Sequence, residues 1–278
     1  MVDISRLSLT DKAEIAGYIK EDTLETVNGI VEPVKPRKTI YTRCIKRVLD
    51  LVIGILGFIV SSPVNLIIAV ITFFDVGWPI IFHQKRAGLH GKPFTIYKFR
   101  NMRNDTDANG ELLPANERVT RWGKFVRKTS LDELLNFVSI IKGDMSVIGP
   151  RPLLDRYAER LNKRHRGIYL TRPGLECPTL HKVDHELTIS ERLDNYVWYV
   201  ENCSFLLDVR LAVRLVLAVF DRKSTKARAK GEAYGVLGYD LDGKLIGITN
   251  VPDKYVERYC KAHGYASIDE KISDRYNG

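Results

Sequence analysis

Apolar and polar positions divide the 278-residue chain into stretches of different kinds. The longest apolar run is Val48 to Phe74, 27 residues with one charge, Asp50, and no Lys or Arg. At 1.5 Å rise per residue an unbroken helix of that length measures about 40 Å, against about 30 Å for a bilayer core. The pattern predicts a membrane helix, and a buried helix of a soluble fold is the competing reading. The run starts too far from the N-terminus for a cleaved signal peptide. Near its middle stands Ser61-Ser62-Pro63. Proline removes a helix hydrogen bond and clashes with the preceding turn, so a kink or a break is expected there, with serine hydroxyls satisfying freed carbonyls.

Shorter periodicities fill the rest. Thr10–Lys20 predicts an amphipathic helix in an otherwise loosely attached acidic segment. Trp78–Gln84 and Pro93–Phe99 predict strands, joined through the hairpin signal Ala87-Gly88-Leu89-His90-Gly91. Residues 104–118 read as a long polar loop. Ser130–Ile141 predicts a helix with an apolar face, 143–152 a turn-rich connection and Leu153–Arg164 a charged amphipathic helix. Cys203–Phe220 is a second apolar helix, interrupted by Asp208, Arg210 and Arg214; it either lies in a membrane interface or joins the core. A basic linker, 221–230, leads to a small appendage with a hairpin at Tyr239–Ile248 turned by Asp242-Gly243.

Charge changes the picture at the apolar run. Lys and Arg exceed Asp and Glu 43 to 34, a net +9. Residues 1–33 carry net −4, whereas residues 34–128 carry seventeen basic and six acidic side chains. Such a block expects an anionic partner: nucleic acid, anionic lipid or a phosphorylated substrate. Six Lys/Arg lie in 34–47 and six more in 75–103, one cluster on each side of the apolar run. Basic flanks favour the cytoplasmic side, so a single crossing would misplace one of them, and an anchor that enters and returns is expected. Arg47 and Asp50, three apart, are expected to pair on one helix face. Cys44, Cys177, Cys203 and Cys260 form no CxxC and no pairing with His, which argues against a disulfide scaffold, a zinc site or a redox motif.

Candidate chemistry concentrates between residues 98 and 174. Ser130 and Glu133 have capping-box spacing, with Asp132 and Glu133 in the first turn of the expected helix. Free N–H groups there favour anions, so the same place holds carboxylates ionised or takes a phosphate or divalent cation. Arg127 and Lys128 precede it. Gly149-Pro150-Arg151-Pro152 fixes an arginine between prolines, Arg172-Pro173-Gly174 repeats the device, and Lys98-Phe99-Arg100 adds cations. Arginine binds phosphate oxygens bidentately. Beside a membrane anchor these residues suit a pyrophosphate site, and no GxxxxGK[ST] or GxGxxG is present.

In their order these motifs resemble the bacterial sugar transferase family, the monotopic phosphoglycosyl transferases. The matching stretches are Lys46-Arg47-Val48-Leu49-Asp50, Gly77-Trp78-Pro79-Ile80-Ile81-Phe82, Lys98-Phe99-Arg100-Asn101-Met102, Thr129-Ser130-Leu131-Asp132-Glu133-Leu134, Gly149-Pro150-Arg151-Pro152 and Arg172-Pro173-Gly174. The likeness covers roughly residues 40–220 and implies a small α+β, mostly helical, membrane-associated catalytic domain with a re-entrant helix and interfacial amphipathic helices. It divides the chain into an acidic extension (1–39), the re-entrant helix (40–76), a cytosolic transferase domain (77–220) and a linker with appendage (221–278).

The resemblance also implies a reaction. A sugar-1-phosphate passes from a UDP-sugar to polyprenyl (undecaprenyl) phosphate, with UMP released, Mg²⁺ as cofactor and the bacterial cytoplasmic membrane as the place. Asp132 and Glu133 would be the catalytic pair and the metal ligands, with Asp132 the nucleophile of a phosphosugar-enzyme intermediate. Arg127, Arg151, Lys98, Arg100 and Arg172 would bind phosphates, and Arg47, Asp50, Ser62 and Pro63 would belong to the anchor. Membrane lipid and a second copy of the chain complete the expected partners, without nucleic acid. Two stretches depart from the family: Leu135-Asn136 where Pro-Gln is usual, and Leu175-Glu176-Cys177-Pro178-Thr179-Leu180 where Ile-Thr-Gly-Trp-Ala-Gln is usual. The second bears on donor and acceptor choice and leaves open a membrane-anchored scaffold without activity; intact Asp132-Glu133 argues for the enzyme. Without a large multi-pass region before the core, the chain resembles a small form of the family.

Overall fold

A computed structural model of the chain describes residues 1–106, 113, 115–177, 187–220 and 235–277. Pro178-Thr179-Leu180, the basic linker 221–230 and the centre of the 104–118 loop lie outside them. Among the described residues helices dominate, accompanied by three two-stranded sheets.

Helix α1 (Leu9–Ile30) starts at a capping box formed by Ser8 and Asp11. A short π-helical turn, Tyr41–Ile45, leads into α2 (Lys46–Val76). The expected break at Ser62-Pro63 is corrected: α2 is one helical segment with Pro63 inside it. The Ser61 and Ser62 hydroxyls both donate to the Phe58 carbonyl, at 3.2 and 2.7 Å, beside the Ile59 carbonyl that proline deprives of its usual donor. One stripe of α2 is buried (Lys46, Asp50, Gly54, Ser61, Asn65, Ile68, Thr72), at the three- and four-residue spacing of a helix face. The other faces expose Val48, Ile59, Val60, Leu66, Ile67 and Phe74, with Val60 76% and Phe74 81% exposed. Tyr41–Val76 is long and apolar enough to cross a membrane.

Both ends of α2 are tied to one body. The expected Arg47–Asp50 pair is absent. Arg47 donates instead to the Ile140 and Ile141 carbonyls at 2.6 and 2.9 Å, and Asp50 accepts from the Ser146 hydroxyl and the Val147 N–H, both at 2.9 Å. Each side chain finds a partner across the fold, which satisfies buried groups that a pair along the helix would have left short. At the far end Trp122 donates to Thr72 at 3.2 Å and Thr120 to Asp75 at 2.5 Å.

Strands β1 (Ile81–Ala87) and β2 (Pro93–Phe99) form the expected hairpin, with Phe82 opposite Lys98 and Gln84 opposite Ile96. After α3 (Ala115–Arg118) come α4 (Arg121–Thr129) and α5 (Asn136–Lys142). Strands β3 (Ser146–Ile148) and β4 (Gly174–Glu176) are parallel. The helix expected over Leu153–Arg164 is reduced to a 3₁₀ segment, Asp155–Arg160, followed by another at His165–Leu170. Helices α6 (Ile189–Asn202) and α7 (Phe205–Phe220) close the central core through Leu193, Tyr196, Tyr199, Leu207 and Leu211. Helix α7 joins the core through the buried Leu207 and Leu211, while Phe205, Leu206, Val209, Val213 and Leu217 on its other side are exposed.

The chain ends meet. Strands β5 (Val236–Tyr239) and β6 (Leu245–Gly247), turned at Gly243, and helices α8 (Asp253–His263) and α9 (Ile268–Asn277) pack with α1. Ile4, Ile15, Ile19, Leu237, Ile246, Val251, Tyr255 and Tyr259 make their shared core. The acidic segment expected to be loosely attached outside Thr10–Lys20 is therefore half of a terminal unit. The unit is docked on the centre by the Tyr239 hydroxyl against His165 Nδ1 at 2.7 Å, by Arg160 Nη1 donating to the Val236 carbonyl at 3.0 Å and by the Lys163 N–H donating to Asn28 Oδ1 at 2.7 Å.

Candidate active site

The site is assembled where α4 gives way to α5. Ser130 does not open a helix. It ends α4 in the left-handed region, φ 57°, and its side chain makes no capping bond. The capping-box expectation is corrected: Leu131–Glu133 form a single 3₁₀ turn, and Glu133 spends its carboxylate on cations rather than on a cap. A non-glycine residue with positive φ is uncommon, and such residues gather at functional sites.

Glu133 Oε1 accepts from Lys98 Nζ at 2.7 Å and from Arg151 Nη2 at 2.5 Å. These charges outweigh its burial and hold its carboxyl down to about 2. Asp132, only 5% exposed, lies against the same turn and shows the opposite effect. Burial first, then the charge of Glu133, raise it to about 6, while Lys98 and Arg127 pull the other way. Asn101 Nδ2 donates to Asp132 Oδ2 at 3.2 Å and so fixes its orientation. Gly123 lets α4 lie against this point, because a side chain there would meet the Asn101 carbonyl at 2.0 Å.

Arg151 is held by its surroundings. Its Nη1 donates to the Leu175 carbonyl at 3.3 Å and faces Glu176 at 3.5 Å. The loop carrying it crosses β4 so closely that a Cβ on Gly174 would meet the Gly149 nitrogen at 2.2 Å. Arg86 stacks a further cation beside it, bonded through Nη1 to the Pro152 carbonyl and through Nε and Nη2 to Gln84. A small cleft opens here, lined by Arg86, Lys98, Glu133, Asn136, Arg151 and Leu175, among others. Asp132 is not among the lining residues.

The expected residues thus separate. Asp132, Glu133, Lys98 and Arg151 come together, and Arg127 in the last turn of α4 acts on Asp132 through its charge. Arg100 and Arg172 do not reach the cleft. Arg100 donates to the Val76 and Gly77 carbonyls and closes the end of α2. Arg172 Nε donates to the Gly143 carbonyl at 2.9 Å. Strand alternation puts Lys98 and Arg100 on one face, but β2 ends at Phe99, so the chain turns and Asn101 faces the carboxylates instead. Asn101, Asn136 and Arg86 stand in stretches compared with the family, yet the sequence gives none of them a role at the site. Neutral amides carry no charge pattern to mark them, and Arg86 resembles any strand-edge cation. Arg47, Asp50, Ser62 and Pro63 hold or shape α2, at the bonds described above.

Among the described residues no group of three or more His, Cys, Asp or Glu gathers to cage a metal. Two adjacent carboxylates with mutual repulsion nevertheless fit the way magnesium is bound, through one or two carboxylates completed by substrate phosphates and water.

Comparison with known proteins follows the same boundaries. The sequence model described as bacterial sugar transferase matches residues 41–222. The chain is 38% identical over 176 residues to the "Uncharacterized sugar transferase EpsL" of Bacillus subtilis (strain 168), covering 62% of this chain and 87% of that one. It is 31% identical over 227 residues to the UDP-glucose:undecaprenyl-phosphate glucose-1-phosphate transferase of Escherichia coli (strain K12), covering 74% of this chain and 47% of that one. It is 31% identical over 198 residues to the undecaprenyl-phosphate galactose phosphotransferase of Salmonella typhimurium, covering 65% and 41%. The chain therefore spans less than half the length of these two enzymes and most of the first relative. The carboxylate pair, its clamping cations and the apolar helix all lie within the matched residues, and the chain belongs to the bacterial sugar transferase family.

Proposed function

We propose that the chain transfers a sugar-1-phosphate from a UDP-sugar to undecaprenyl phosphate at the cytoplasmic face of a bacterial inner membrane, releasing UMP. The observation that carries this reading is the adjacent pair Asp132-Glu133 inside the matched residues, with Asp132 buried and Glu133 clamped by Lys98 and Arg151 at 2.7 and 2.5 Å; burial and the Glu133 charge raise Asp132, while the two cations hold Glu133 down. Nucleophilicity follows basicity, so Asp132 is the attacking group and Glu133 is too weak a base to take a proton at neutral pH. A carboxylate oxygen of Asp132 attacks the β-phosphorus of the donor. The bond from that phosphorus to the oxygen bridging the two phosphates breaks, and UMP leaves with the oxygen. The sugar phosphate is then esterified to Asp132. An oxygen of undecaprenyl phosphate attacks the same phosphorus, forming the sugar-linked diphosphate and freeing the carboxylate.

Glu133 keeps Lys98 and Arg151 in place as counter-charges for the phosphates, and Asn101 keeps Asp132 in one orientation. Magnesium held by Asp132 and Glu133 together with the donor phosphates would supply further charge neutralisation.

The membrane placement rests on α2. Its exposed faces are apolar, yet Arg47 and Asp50 at one end and Thr72 and Asp75 at the other bind the same body. A helix crossing the bilayer would separate those ends, so both stay on the cytoplasmic side, α2 dips into that leaflet along its exposed apolar faces, and the apolar outer face of α7 lies in the interface.

Trapping tests the covalent step. Full-length protein given labelled UDP-sugar and Mg²⁺ without acceptor is expected to release UMP once per site and to gain a sugar-phosphate mass on the peptide holding Asp132. UMP release only with acceptor present, and no adduct, would replace this route by direct transfer.

A further inference from the structure

Asn136 is buried, 3% exposed, and lines the cleft beside Glu133 and Arg151. Among the described residues its Oδ1 has no hydrogen-bond partner. A buried acceptor left unpaired is costly, and such groups are rare in folded proteins unless something outside the chain completes them. The other polar side chains lining the cleft are differently disposed. Lys98, Glu133 and Arg151 are engaged in a charge cluster, and Arg86 is bonded to Gln84 and Pro152. Asn136 is the neutral polar group among them, and its carbonyl oxygen calls for a donor. Phosphate oxygens offer none once ionised. The hydroxyl groups of a sugar do, and the sugar sits one bond from the β-phosphorus that Asp132 attacks.

We infer that Asn136 is a specificity-determining residue whose side-chain oxygen accepts a hydrogen bond from a hydroxyl, or an acetamido N–H, of the donor's sugar. This rests on the donor being a UDP-sugar, as proposed above. It assigns sugar choice to the start of α5, and phosphate binding to Lys98 and Arg151.

The test uses full-length protein in detergent, with UDP-glucose, UDP-galactose and their 2-acetamido counterparts as donors and UMP as competing ligand. Wild type is expected to discriminate among the four. In Asn136→Ala, kcat/KM for the preferred donor should fall about tenfold while the poorer donors change little, so that the spread narrows. Inhibition by UMP should stay within about twofold, because UMP carries no sugar on its phosphate. Thermal stability should not fall as it would on losing a bonded group, since no bond within the chain is removed. Asn136→Gln keeps the amide but displaces it, and should reorder the panel instead of flattening it; it also serves if Asn136→Ala does not fold. An unchanged spread in both variants, or UMP weakening in parallel with every donor, would overturn the inference. Failure of the wild type to release UMP from any UDP-sugar would remove the donor reading itself, whatever Asn136 does.

Discussion

The centre of the molecule and its terminal unit use charge in opposite ways. In the terminal unit the ion pairs lie on the rim: Arg258 with Glu21 and Asp22 at 3.4 and 3.3 Å, and the Met1 amino group with Asp253 at 3.1 Å. Its interior is aliphatic and tyrosyl. In the centre the pairs are inside. Lys46 and Asp208 are both more than nine-tenths buried and 2.6 Å apart, Tyr41 and Tyr199 also donate to Asp208, and Glu133 is clamped by two cations. Exposed pairs add little, because water already satisfies both charges. Buried pairs gain no great stability over an apolar replacement, but losing one partner strands the other. The terminal unit is thus held by burial of apolar surface, while the centre spends charge to fix the position of particular groups.

The largest test of this contrast is Asp132→Asn. If the central carboxylates do chemistry and not merely structure, turnover should fall at least a thousandfold with the fold retained by circular dichroism, since an amide cannot attack phosphorus. A mere first-turn charge would cost only about 0.3–1 kcal/mol of stability and leave turnover intact. Asp208→Asn comes next. It strands Lys46 in the interior, and a loss of about 3–5 kcal/mol in denaturant unfolding is expected. Arg151→Lys keeps the charge but loses the fork that reaches both Glu133 and the Leu175 carbonyl; turnover should drop about tenfold or more.

The pH profile sharpens the comparison further. A carboxyl raised to about 6 is protonated below that value, so kcat/KM should fall as pH drops through about 6 and level off above it. Glu133→Gln removes a neighbouring negative charge and frees Lys98 and Arg151 to act on Asp132. Both changes favour the ionised form, so the acid limb should move to lower pH; a move upward would contradict the electrostatics described. The smallest effect belongs to the rim. Arg258→Ala should change stability by no more than about 1 kcal/mol and leave turnover untouched.

Much of the centre is legible in the sequence, for identifiable reasons. The apolar run, the strand Pro93–Phe99, the adjacent acids and the arginine between prolines are local signals, carried by residues next to one another. What the sequence hides is decided across long separations. Arg47 and Asp50 have the spacing of a pair, yet carbonyls and a hydroxyl almost a hundred residues away hold them more completely. Ser130 and Glu133 have the spacing of a cap, yet Lys98 and Arg151 win the carboxylate, and the turn tightens with Ser130 left-handed. The union of α1 with β5, β6 and α8 leaves no trace in periodicity, because amphipathicity tells that a face is covered and not by what.

That union also orders events in time. Helix α1 lies at the start of the chain, whereas its apolar partners Leu237, Ile246, Val251 and Tyr255 are more than two hundred residues downstream. During synthesis α1 leaves the ribosome with its buried face uncovered, and the long apolar helix α2 follows it. The terminal unit can close only after β5, β6 and α8 have been made, long after α2. A nascent chain stalled before residue 236 would therefore present an unsheltered first helix, open to proteases and chaperones alike.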